Sequence, residues 1–230
     1  MKVSAIIPAA GSGQRFGEAK QFKLLKGRSI LFHTVAPFIE SERIHEIIIV
    51  VDASKVDEVK RDVLSMSGGK HILVVPGGEQ RQDSVQHGVS STSNDTEYVC
   101  IHDGARPFIT IDLICKAVDA ASGSDGSILA IPCHDTVKYS ENSIIKYTID
   151  RENVWFAQTP QVFQKQKLIQ ALDYAKTHGI IGTDESALME KMGFAIKLVE
   201  GHMNNFKITT QNDWTRAESM FSSIKSHAND

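Results

Sequence analysis

Arg15 and Lys20 follow a small-residue loop that begins where the first apolar strand ends, in residues 6–17 (IIPAAGSGQRFG). A loop with few side-chain atoms lets its backbone N–H groups surround a phosphate, and nearby cations then neutralise the phosphate charge. The segment therefore predicts a nucleoside triphosphate site near the start of the chain. The alternative is a glycine-rich turn without a ligand, which would not need two cations in this place.

Two better-known phosphate loops do not fit this segment. A P-loop needs a Gly-Lys pair at a fixed distance after its first glycine, and neither Gly11 nor Gly13 is followed by one there. In the dinucleotide fingerprint the third glycine comes earlier than Gly17 does, and an acidic residue lies about 20 positions further on. The second strand instead ends near Asp52, about twice too far away. The loop therefore does not indicate hydride chemistry.

The composition predicts a globular cytoplasmic protein with one domain over residues 1–230. Of its residues, 41% are hydrophobic, and no segment reaches the roughly 20 uninterrupted apolar residues of a membrane span. Residues 1–3 enter a strand directly, which leaves no room for a secretory leader. The net charge of −3 argues against a general nucleic-acid surface, so a polyanion would have to bind a local cluster of cations.

The three cysteines do not form a recognisable disulfide or zinc pattern. Cys100, Cys115 and Cys133 are odd in number and show no Cys-x-x-Cys spacing. They lie in or beside apolar stretches, so reduced, buried thiols are expected.

Apolar runs alternate with helical patterns along the chain, which predicts an α/β fold with a mostly parallel sheet covered on both faces. Strands are expected near residues 3–8, 45–51, 71–75, 98–102, 127–132 and 195–199. Helices are expected near residues 29–40, 54–66, 81–91, 110–121, 165–178, 184–192 and 212–225. Pro37 lies inside the first helical pattern, so that helix is expected to kink or to end early.

Residues 135–150 interrupt this alternation and predict a β-hairpin. Two strand patterns, at 136–139 and 144–149, flank the turn residues 140–143 (SENS). An isolated hairpin is marginally stable in water, so we expect this one to pack on a second subunit. The alternative is a hairpin that folds back on its own domain.

Ligands of open α/β sheets bind beyond the carboxyl ends of the strands, so the loops after strands carry the candidate site residues. Residues 76–84 (PGGEQRQDS) follow one strand, and their two glycines permit close backbone approach to a ring or a ribose. Ser84 could bond a base edge there. Alternatively, Asp83 or Ser84 caps the helix that follows.

Asp103 ends another buried strand and is the best candidate for a Mg²⁺ ligand. Mg²⁺ takes one or two carboxylates and completes its shell with waters and substrate phosphate oxygens. The neighbouring His102 is a weaker candidate, because a hard cation does not prefer imidazole and a lone histidine there is more often structural. An ion pair of Asp103 with Arg106, without a metal, is the alternative.

Four later segments complete the set of candidate loops. Residues 148–151 leave the hairpin, and residues 158–161 follow closely. Residues 182–186 (GTDES) look like a helix start, with Thr183 as the cap and two acids in the first turn, and capping alone would explain them. Lys207 stands among polar residues before the last helix, where a surface lysine would be unremarkable by itself.

Nine motifs in chain order resemble those of the 2-C-methyl-D-erythritol 4-phosphate cytidylyltransferase family, and they span nearly the whole chain. They are residues 8–15 (PAAGSGQR), 20–21 (KQ), 77–85 (GGEQRQDSV), 102–107 (HDGARP), 135–138 (DTVK), 150–151 (DR), 159–161 (TPQ), 183–187 (TDESA) and 207–209 (KIT). The resemblance implies a Rossmann-like nucleotidyltransferase with a mostly parallel twisted sheet flanked by helices. It also implies a protruding β-arm, at about 134–151, that joins two subunits into a homodimer.

The resemblance further implies a reaction and a role for each matched residue. The phosphate of 2-C-methyl-D-erythritol 4-phosphate would attack the α-phosphorus of CTP and release pyrophosphate. Arg15, Lys20, Arg151 and Lys207 would be catalytic, and Asp103 would hold Mg²⁺. The CTP-binding residues would be Ala10, Gly11, Gly13, Arg15, Lys20, Gly78, Glu79, Ser84 and Asp103. The acceptor phosphate would be bound by Arg106, Thr136, Arg151, Thr159, Thr183 and Lys207.

Small departures from the family pattern and two other functions accompany this interpretation. Ala19 stands where many members have proline, and Gly104 stands where alanine is usual, but neither change removes a functional group. One alternative is a cytidylyltransferase for ribitol 5-phosphate, although residues 9–11 (AAG) differ from the Ala-Gly-Gly of that group. The other alternative is a nucleotide-binding protein without turnover. The presence of Lys20 and Asp103 argues against it.

Overall fold

The computed structural model describes residues 1–13, 16–64 and 66–226. Its strands are β1 (Val3–Pro8), β2 (Leu24–Leu25), β3 (Arg28–Ser29), β4 (Glu46–Val51), β5 (His71–Pro76), β6 (Tyr98–Ile101), β7 (Gly126–Pro132), β8 (Val137–Glu141), β9 (Ile144–Ile149), β10 (Trp155–Gln164) and β11 (Ile196–Glu200). Its helices are α1 (Ile30–Glu40), α2 (Val56–Leu64), α3 (Arg81–Ser90), α4 (Ile111–Ala121), α5 (Lys165–Thr177), α6 (Glu185–Lys191) and α7 (Gln211–Ser226).

The described residues form a seven-stranded sheet in the order β11-β7-β10-β6-β1-β4-β5. All neighbouring strands run parallel except β10, which is antiparallel to both β6 and β7. The central strands are apolar over most of their length, because a parallel sheet is covered on both faces. In β4, for example, Ile47, Ile48 and Ile49 are all fully buried.

Successive side chains of a central strand enter two separate cores. Ile7 of β1 packs in the core formed with α1, α2 and α4, whereas Ile6 packs in the core formed with α3, α5 and α6. This alternation follows from the two-residue period of a strand. Burying one such side chain stabilises the fold by roughly 1.5–3 kcal/mol, so both helix layers are tightly bound to the sheet.

The predicted elements are confirmed apart from details at their ends, and three features differ. β10 has no counterpart among the predicted strands, and neither has the small β2–β3 pair. Helix α1 continues through Pro37 to Glu40 and does not end early. The proline lies in the last helical turn, where its missing N–H costs a single hydrogen bond.

The predicted hairpin is present as a separate two-stranded sheet of β8 and β9. Asn142 and Ser143 join the strands with φ angles of 49° and 63°, the left-handed pair that a tight hairpin turn needs. Ile144 and Ile145 are 64% and 63% exposed. We call residues 134–151 the β-arm; it carries an apolar surface that the described residues of this chain do not cover.

Two further sequence expectations concern membranes and cysteines. Among the described helices, none combines the length and the apolar character that crossing a membrane would require. Cys100, Cys115 and Cys133 are free thiols, as predicted, and Cys100 and Cys133 are buried, but the expected burial is wrong for Cys115, which is half-buried. Burial raises the pKa of the Cys100 thiol, so this cysteine stays protonated in the core.

Candidate active site

A cleft of about 470 Å³ opens at the carboxyl ends of β1 and β6. The chain continues from β1 to β4 on one side, whereas β6 lies on the other, so the cleft marks the point where the strand order reverses. Its walls come from three loops and one lysine. The lining residues are Pro8, Ala9, Ala10, Gly11, Ser12, Gly13, Lys20, Gln21, Gly78, Glu79, Gln80, Arg81, Ser84, Asp103, Gly104, Ala105 and Lys207.

A buried glutamine fixes the conformation of the loop after β1. The side-chain amide of Gln21 donates hydrogen bonds to the carbonyl oxygens of Ala9 (2.7 Å) and Gly11 (2.9 Å). Gly13 has φ +71°, and a Cβ atom there would lie 1.7 Å from the carbonyl oxygen of Glu18. Glycine is therefore required at this position, and the loop shape that the sequence predicts depends on it.

The cations predicted for this loop are only partly described. Arg15 lies outside the described residues, so its predicted contact with the triphosphate stays a prediction. Lys20 begins a short 3₁₀ turn and lines the cleft. Burial alone would raise the pKa of Asp213 in the first turn of α7, but the hydrogen bonds from Thr209 and Thr210, and then the charge of Lys20, lower it.

Helix α7 supports the same loop through an aromatic cluster. The Phe16 and Trp214 rings meet edge to face, with centroids 6.2 Å apart. The Lys23 ammonium lies 5.0 Å from the Phe16 centroid and 4.7 Å from that of Trp214, and it also pairs with Glu18 at 3.0 Å. Cation–π contacts of this kind fix the base of the loop against the last helix.

The second wall is the turn before α3, and its shape depends on Gly77 and Ser84. A Cβ atom on Gly77 would lie 2.5 Å from the Cβ of Ala10, so glycine lets the first two walls approach each other. The Ser84 hydroxyl accepts a hydrogen bond from the Gly78 N–H and donates one to the Gln80 carbonyl, both at 3.2 Å. The Asp83 carboxylate accepts from the Gln80 N–H at 3.0 Å. Both predicted capping residues thus stabilise the turn, and Ser84 also lines the cleft.

Asp103, on the third wall, is surrounded by three cations. Its Oδ1 accepts a hydrogen bond from Arg81 Nε (3.1 Å), its Oδ2 accepts one from Lys207 Nζ (2.9 Å), and Arg106 Nε lies 3.6 Å from Oδ2. Burial alone would raise the pKa of this carboxyl, but the charges of the three cations outweigh it and hold the pKa well below its usual range. Asp103 is therefore ionised at neutral pH, and the predicted ion pair with Arg106 is present.

The residues of the cleft suit a divalent cation that takes one ligand from the protein and the others from water and substrate. The described residues contain no group of three or more His, Cys, Asp or Glu side chains able to enclose a metal. Asp103 keeps lone pairs beyond the two that Arg81 and Lys207 use, because an ionised carboxylate has about four. Such a site fits Mg²⁺, which keeps waters and binds substrate phosphates alongside one carboxylate.

Sequence reasoning missed the partner of Arg81. Nη1 of Arg81 donates to both carboxylate oxygens of Glu185, at 2.6 and 2.9 Å. Glu185 is almost completely buried, and burial raises its pKa against the opposing effect of Arg81. Its place after the polar residues 182–184 suggested only a helix start, and no sequence spacing connects it to Arg81.

His102 is structural, as the sequence analysis favoured. Burial lowers its pKa to about 3, so the ring is neutral. Nδ1 is 3.0 Å from the Thr159 hydroxyl, and Nε2 is 3.2 Å from the Arg106 carbonyl oxygen. The Thr159 hydroxyl also accepts the N–H of Asp103 at 3.1 Å, so this buried threonine fixes the loop that carries the carboxylate.

The remaining residues predicted for the acceptor phosphate do not line the cleft of this chain. Thr136 and Arg151 lie at the two ends of the β-arm, both exposed, and the Arg151 guanidinium donates to the His134 carbonyl. The expected cap of α6 is wrong: Asp184, not Thr183, caps it, and its Oδ1 accepts the Ala187 N–H at 3.0 Å. Asp184 is the last residue before the helix, and from there its carboxylate can accept a free N–H group of the first helical turn.

A twisted, mostly parallel sheet with a phosphate-type glycine loop, lysines and one carboxylate at its switch point defines an α/β nucleotidyltransferase. The family model described as IspD, 2-C-methyl-D-erythritol 4-phosphate cytidylyltransferase, matches residues 3–223. The chain belongs to this family and is a nucleotidyltransferase. This membership favours the first of the three functions predicted from the sequence over ribitol 5-phosphate transfer and over binding without turnover.

Curated relatives and solved structures agree over nearly the full length. The chain is 37% identical to 2-C-methyl-D-erythritol 4-phosphate cytidylyltransferase of Geotalea uraniireducens, covering 98% of this chain and 99% of the relative. It is 40% identical to that of Caldanaerobacter subterraneus subsp. tengcongensis, covering 95% and 98%. The structure of 4-diphosphocytidyl-2C-methyl-D-erythritol synthase from Anaerococcus prevotii superposes with a TM-score of 0.86 at 31% identity, covering 96% and 98% of the chains. The Thermus thermophilus cytidylyltransferase superposes with a TM-score of 0.79 at 30% identity, covering 96% and 100%.

Proposed function

We propose that this enzyme joins CTP and 2-C-methyl-D-erythritol 4-phosphate, giving 4-(cytidine 5′-diphospho)-2-C-methyl-D-erythritol and pyrophosphate. The observation that carries the proposal is the cleft itself, which gathers a glycine loop, Lys20, Lys207 and the ionised Asp103 at the switch point of the sheet. These groups suit a triphosphate and a divalent cation, and family membership supplies the identity of the two substrates.

The chemistry requires cations more than a base. A phosphate monoester has its second pKa near 6, so the attacking phosphate is already largely dianionic at neutral pH. The barrier is the repulsion between this dianion and the triphosphate. Cationic side chains aimed at the transferred group lower that barrier, as in phosphoryl transfer generally.

The triphosphate is proposed to lie along the loop after β1. Its phosphates would accept hydrogen bonds from the backbone N–H groups near Ala10, Gly11 and Gly13, and Lys20 would stabilise the charge that develops at the α-phosphorus. Arg15 is assigned to the same task from the family motif. Gly78, Glu79 and Ser84 line the other end of the cleft and are proposed to contact cytosine and ribose.

Asp103 is proposed to hold Mg²⁺ together with the phosphates of CTP. When bound, the cation neutralises part of the phosphate charge and so favours attack on the α-phosphorus. Lys207, one-third exposed on the cleft side, is placed to exchange part of its contact with Asp103 for a contact with the acceptor phosphate.

The acceptor site is proposed to be completed in a homodimer. Thr136 and Arg151 lie at the ends of the β-arm and do not line this chain's cleft, and the β-arm exposes Ile144 and Ile145. A second copy would cover these isoleucines, and the exchanged β-arm would bring Arg151 to a cleft that already contains Lys207. Each acceptor site would then combine Lys207 of one copy with Arg151 of the copy whose β-arm reaches that cleft.

The remaining acceptor residues lie nearer the cleft. Arg106 is half-buried next to Asp103, Thr159 lies beneath the Asp103 loop, and Thr183 is exposed two residues before Glu185. They are proposed to complete the acceptor pocket, directly or by fixing its floor. A single catalytic domain over residues 1–230 and a cytoplasmic location complete the proposal.

A coupled pyrophosphate-release assay tests the substrate assignment. Purified enzyme would be incubated with CTP and Mg²⁺, together with either 2-C-methyl-D-erythritol 4-phosphate or ribitol 5-phosphate. We expect rapid pyrophosphate release with the first alcohol phosphate and a far slower rate with the second. Equal or greater turnover with ribitol 5-phosphate would overturn the assignment. Absence of turnover with both, in enzyme that binds CTP, would favour a binding protein.

A further inference from the structure

Glu185, Arg81 and Asp103 form a buried ion chain that connects the start of α6 to the CTP cleft. Nη1 of Arg81 donates to both oxygens of Glu185, at 2.6 and 2.9 Å, while Nε donates to Oδ1 of Asp103 at 3.1 Å. The side chain of Glu185 is 2% exposed and that of Asp103 is 10% exposed. One guanidinium thus binds two carboxylates from separate elements, the loop after β6 and the start of α6.

The way Arg81 divides its donors decides what remains available on Asp103. Guanidinium groups prefer to pair with a carboxylate through two parallel N–H bonds. Here Glu185 holds Nη1 and with it the orientation of the guanidinium, in which Arg81 donates a single bond, from Nε–H, to Oδ1 of Asp103. Without Glu185, Arg81 would be free to turn towards Asp103 and occupy both of its oxygens.

Charge balance points in the same direction. Three cations, Arg81, Arg106 and Lys207, surround Asp103, and Glu185 is the second anion of this group. With Glu185 the group has three positive and two negative charges. Without Glu185 a further uncompensated positive charge would act at short range, in a buried environment, against any divalent cation on Asp103.

We infer that Glu185 is a positioning residue of the reaction: by engaging Arg81 it keeps Asp103 available to a divalent cation in the CTP complex. The inference rests on the proposed metal-binding role of Asp103. Glu185 does not line the cleft and contacts Arg81, so we infer that it acts through Arg81 and not by contact with substrate.

Binding of Mn²⁺ to the enzyme in the presence of CTP, followed by electron paramagnetic resonance, tests this role without measuring turnover. The variant Glu185→Gln keeps the shape and an acceptor for Arg81 but removes the charge. Loss of a supporting partner of a metal ligand costs about tenfold or more in metal affinity, and we expect that fold-change here. Wild-type affinity in folded Glu185→Gln would overturn the inference.

Glu46→Gln is the matched control. Glu46 is also buried and accepts hydrogen bonds from Ser93 and Thr96, but it begins β4 and so lies at the amino ends of the parallel strands, opposite the cleft. We expect this variant to lose thermal stability and to keep the Mn²⁺ affinity of the wild type. An equal loss of affinity in both variants would attribute the effect to general destabilisation and would overturn the inference.

Two further variants complete the design. Arg81→Lys keeps the charge but cannot bind both carboxylates through a planar group, so its affinity for Mn²⁺ should also fall, and adding Glu185→Gln to it should cause little further loss. Independent, additive losses would contradict an ion chain. Asp103→Asn tests the proposed metal-binding role itself. If this variant keeps Mn²⁺ binding, the metal site is wrong and the inference falls with it. If Asp103→Asn loses Mn²⁺ binding but Glu185→Gln keeps the wild-type affinity, the inference alone is rejected.

Discussion

The ammonium group of Lys207 lies 2.9 Å from Oδ2 of Asp103. This contact connects the loop before α7 to the loop after β6, and it holds a cation on the cleft wall before substrate binds. Electrostatic catalysis is effective when the charges need not move far at the moment of reaction. The cleft therefore already has the arrangement that the reaction of two anions requires, with Lys20 on the facing loop.

Replacing Lys20 with alanine should affect the rate much more than CTP binding. The backbone N–H groups of the glycine loop keep most of the affinity for the triphosphate, whereas removing one charge-stabilising donor typically lowers turnover by about 10²–10³-fold. Steady-state pyrophosphate release gives kcat, and calorimetric titration with CTP gives the affinity.

Lys20→Arg is the control for this variant, because it keeps the charge and should retain more activity than the alanine variant. A Lys20→Ala enzyme with unchanged kcat would remove this lysine from the proposed role. A fall in CTP affinity as large as the fall in kcat would assign it to ground-state binding instead.

Gly13→Ala should damage the CTP site through the backbone. The residue has φ +71°, which costs an L-residue roughly 1–2 kcal/mol, and its Cβ would collide with the Glu18 carbonyl. The loop must change shape to relieve the collision, so CTP affinity should fall about tenfold or more, measured by calorimetric titration.

Gly17→Ala separates strain from collision. Gly17 also has a positive φ, +91°, but a Cβ there meets nothing within 4 Å. We expect it to lose stability and to bind CTP better than Gly13→Ala does. Equal CTP affinity in the two variants would show that the collision at Gly13 is irrelevant to the site.

Ile145→Glu should weaken the proposed dimer. Ile145 is 63% exposed on the β-arm, and a charge in an apolar interface is strongly disfavoured. Light scattering during gel filtration should show a lower mass at micromolar concentration. The KM for the acceptor should rise, because Arg151 would leave the cleft, while CTP affinity is kept.

Leu24→Glu serves as the control for the β-arm variant, since Leu24 is 65% exposed on β2, outside the β-arm. We expect this variant to have the same mass in solution, measured by light scattering, as the wild-type assembly. A wild-type enzyme that is monomeric at micromolar concentration and fully active would contradict the exchanged β-arm.

Most of the fold could be predicted because local patterns determine it, and β10 shows where such patterns fail. Its residues 158–161 (QTPQ) are polar and include Pro160, which argues against a strand. In the structure the pairing of β10 with β7 shifts between Ala157 and Gln161, and Pro160 lies within this irregular stretch, where a missing N–H is tolerated. Only the position of β10 between β6 and β7 explains the strand, and no local pattern contains that information.

The site was predictable to a similar extent. Residues that lie close together in the chain, such as those around Gly11 and Gly78, have motifs that indicate a nucleotide, and the structure places them in one cleft. The contact of Arg81 with Glu185 joins residues 104 positions apart. Its existence depends on how two loops meet at the sheet edge, which sequence spacing does not encode.

His102 should make the stability of the protein depend on pH between about pH 7 and pH 5. Its pKa is about 3 in the native state and 6.5 as an unperturbed group, so the unfolded chain takes up a proton in this range and the native protein does not. The stabilisation is therefore complete above pH 6.5 and is lost as the pH falls, by about 2 kcal/mol at about pH 5. Urea unfolding at the two pH values measures this difference.

In His102→Asn the pH dependence should become shallower by about that amount, whatever stability the variant loses at pH 7. Val89→Ala, which removes buried apolar atoms and no titratable group, should keep the slope of the wild type. Glu46 does not interfere, because the pKa of its carboxyl, lowered to about 2 by hydrogen bonds that outweigh burial, affects stability only below about pH 4.5. An unchanged slope in His102→Asn would mean that the histidine is protonated in the native protein, and the neutral, doubly hydrogen-bonded ring described above would then be wrong.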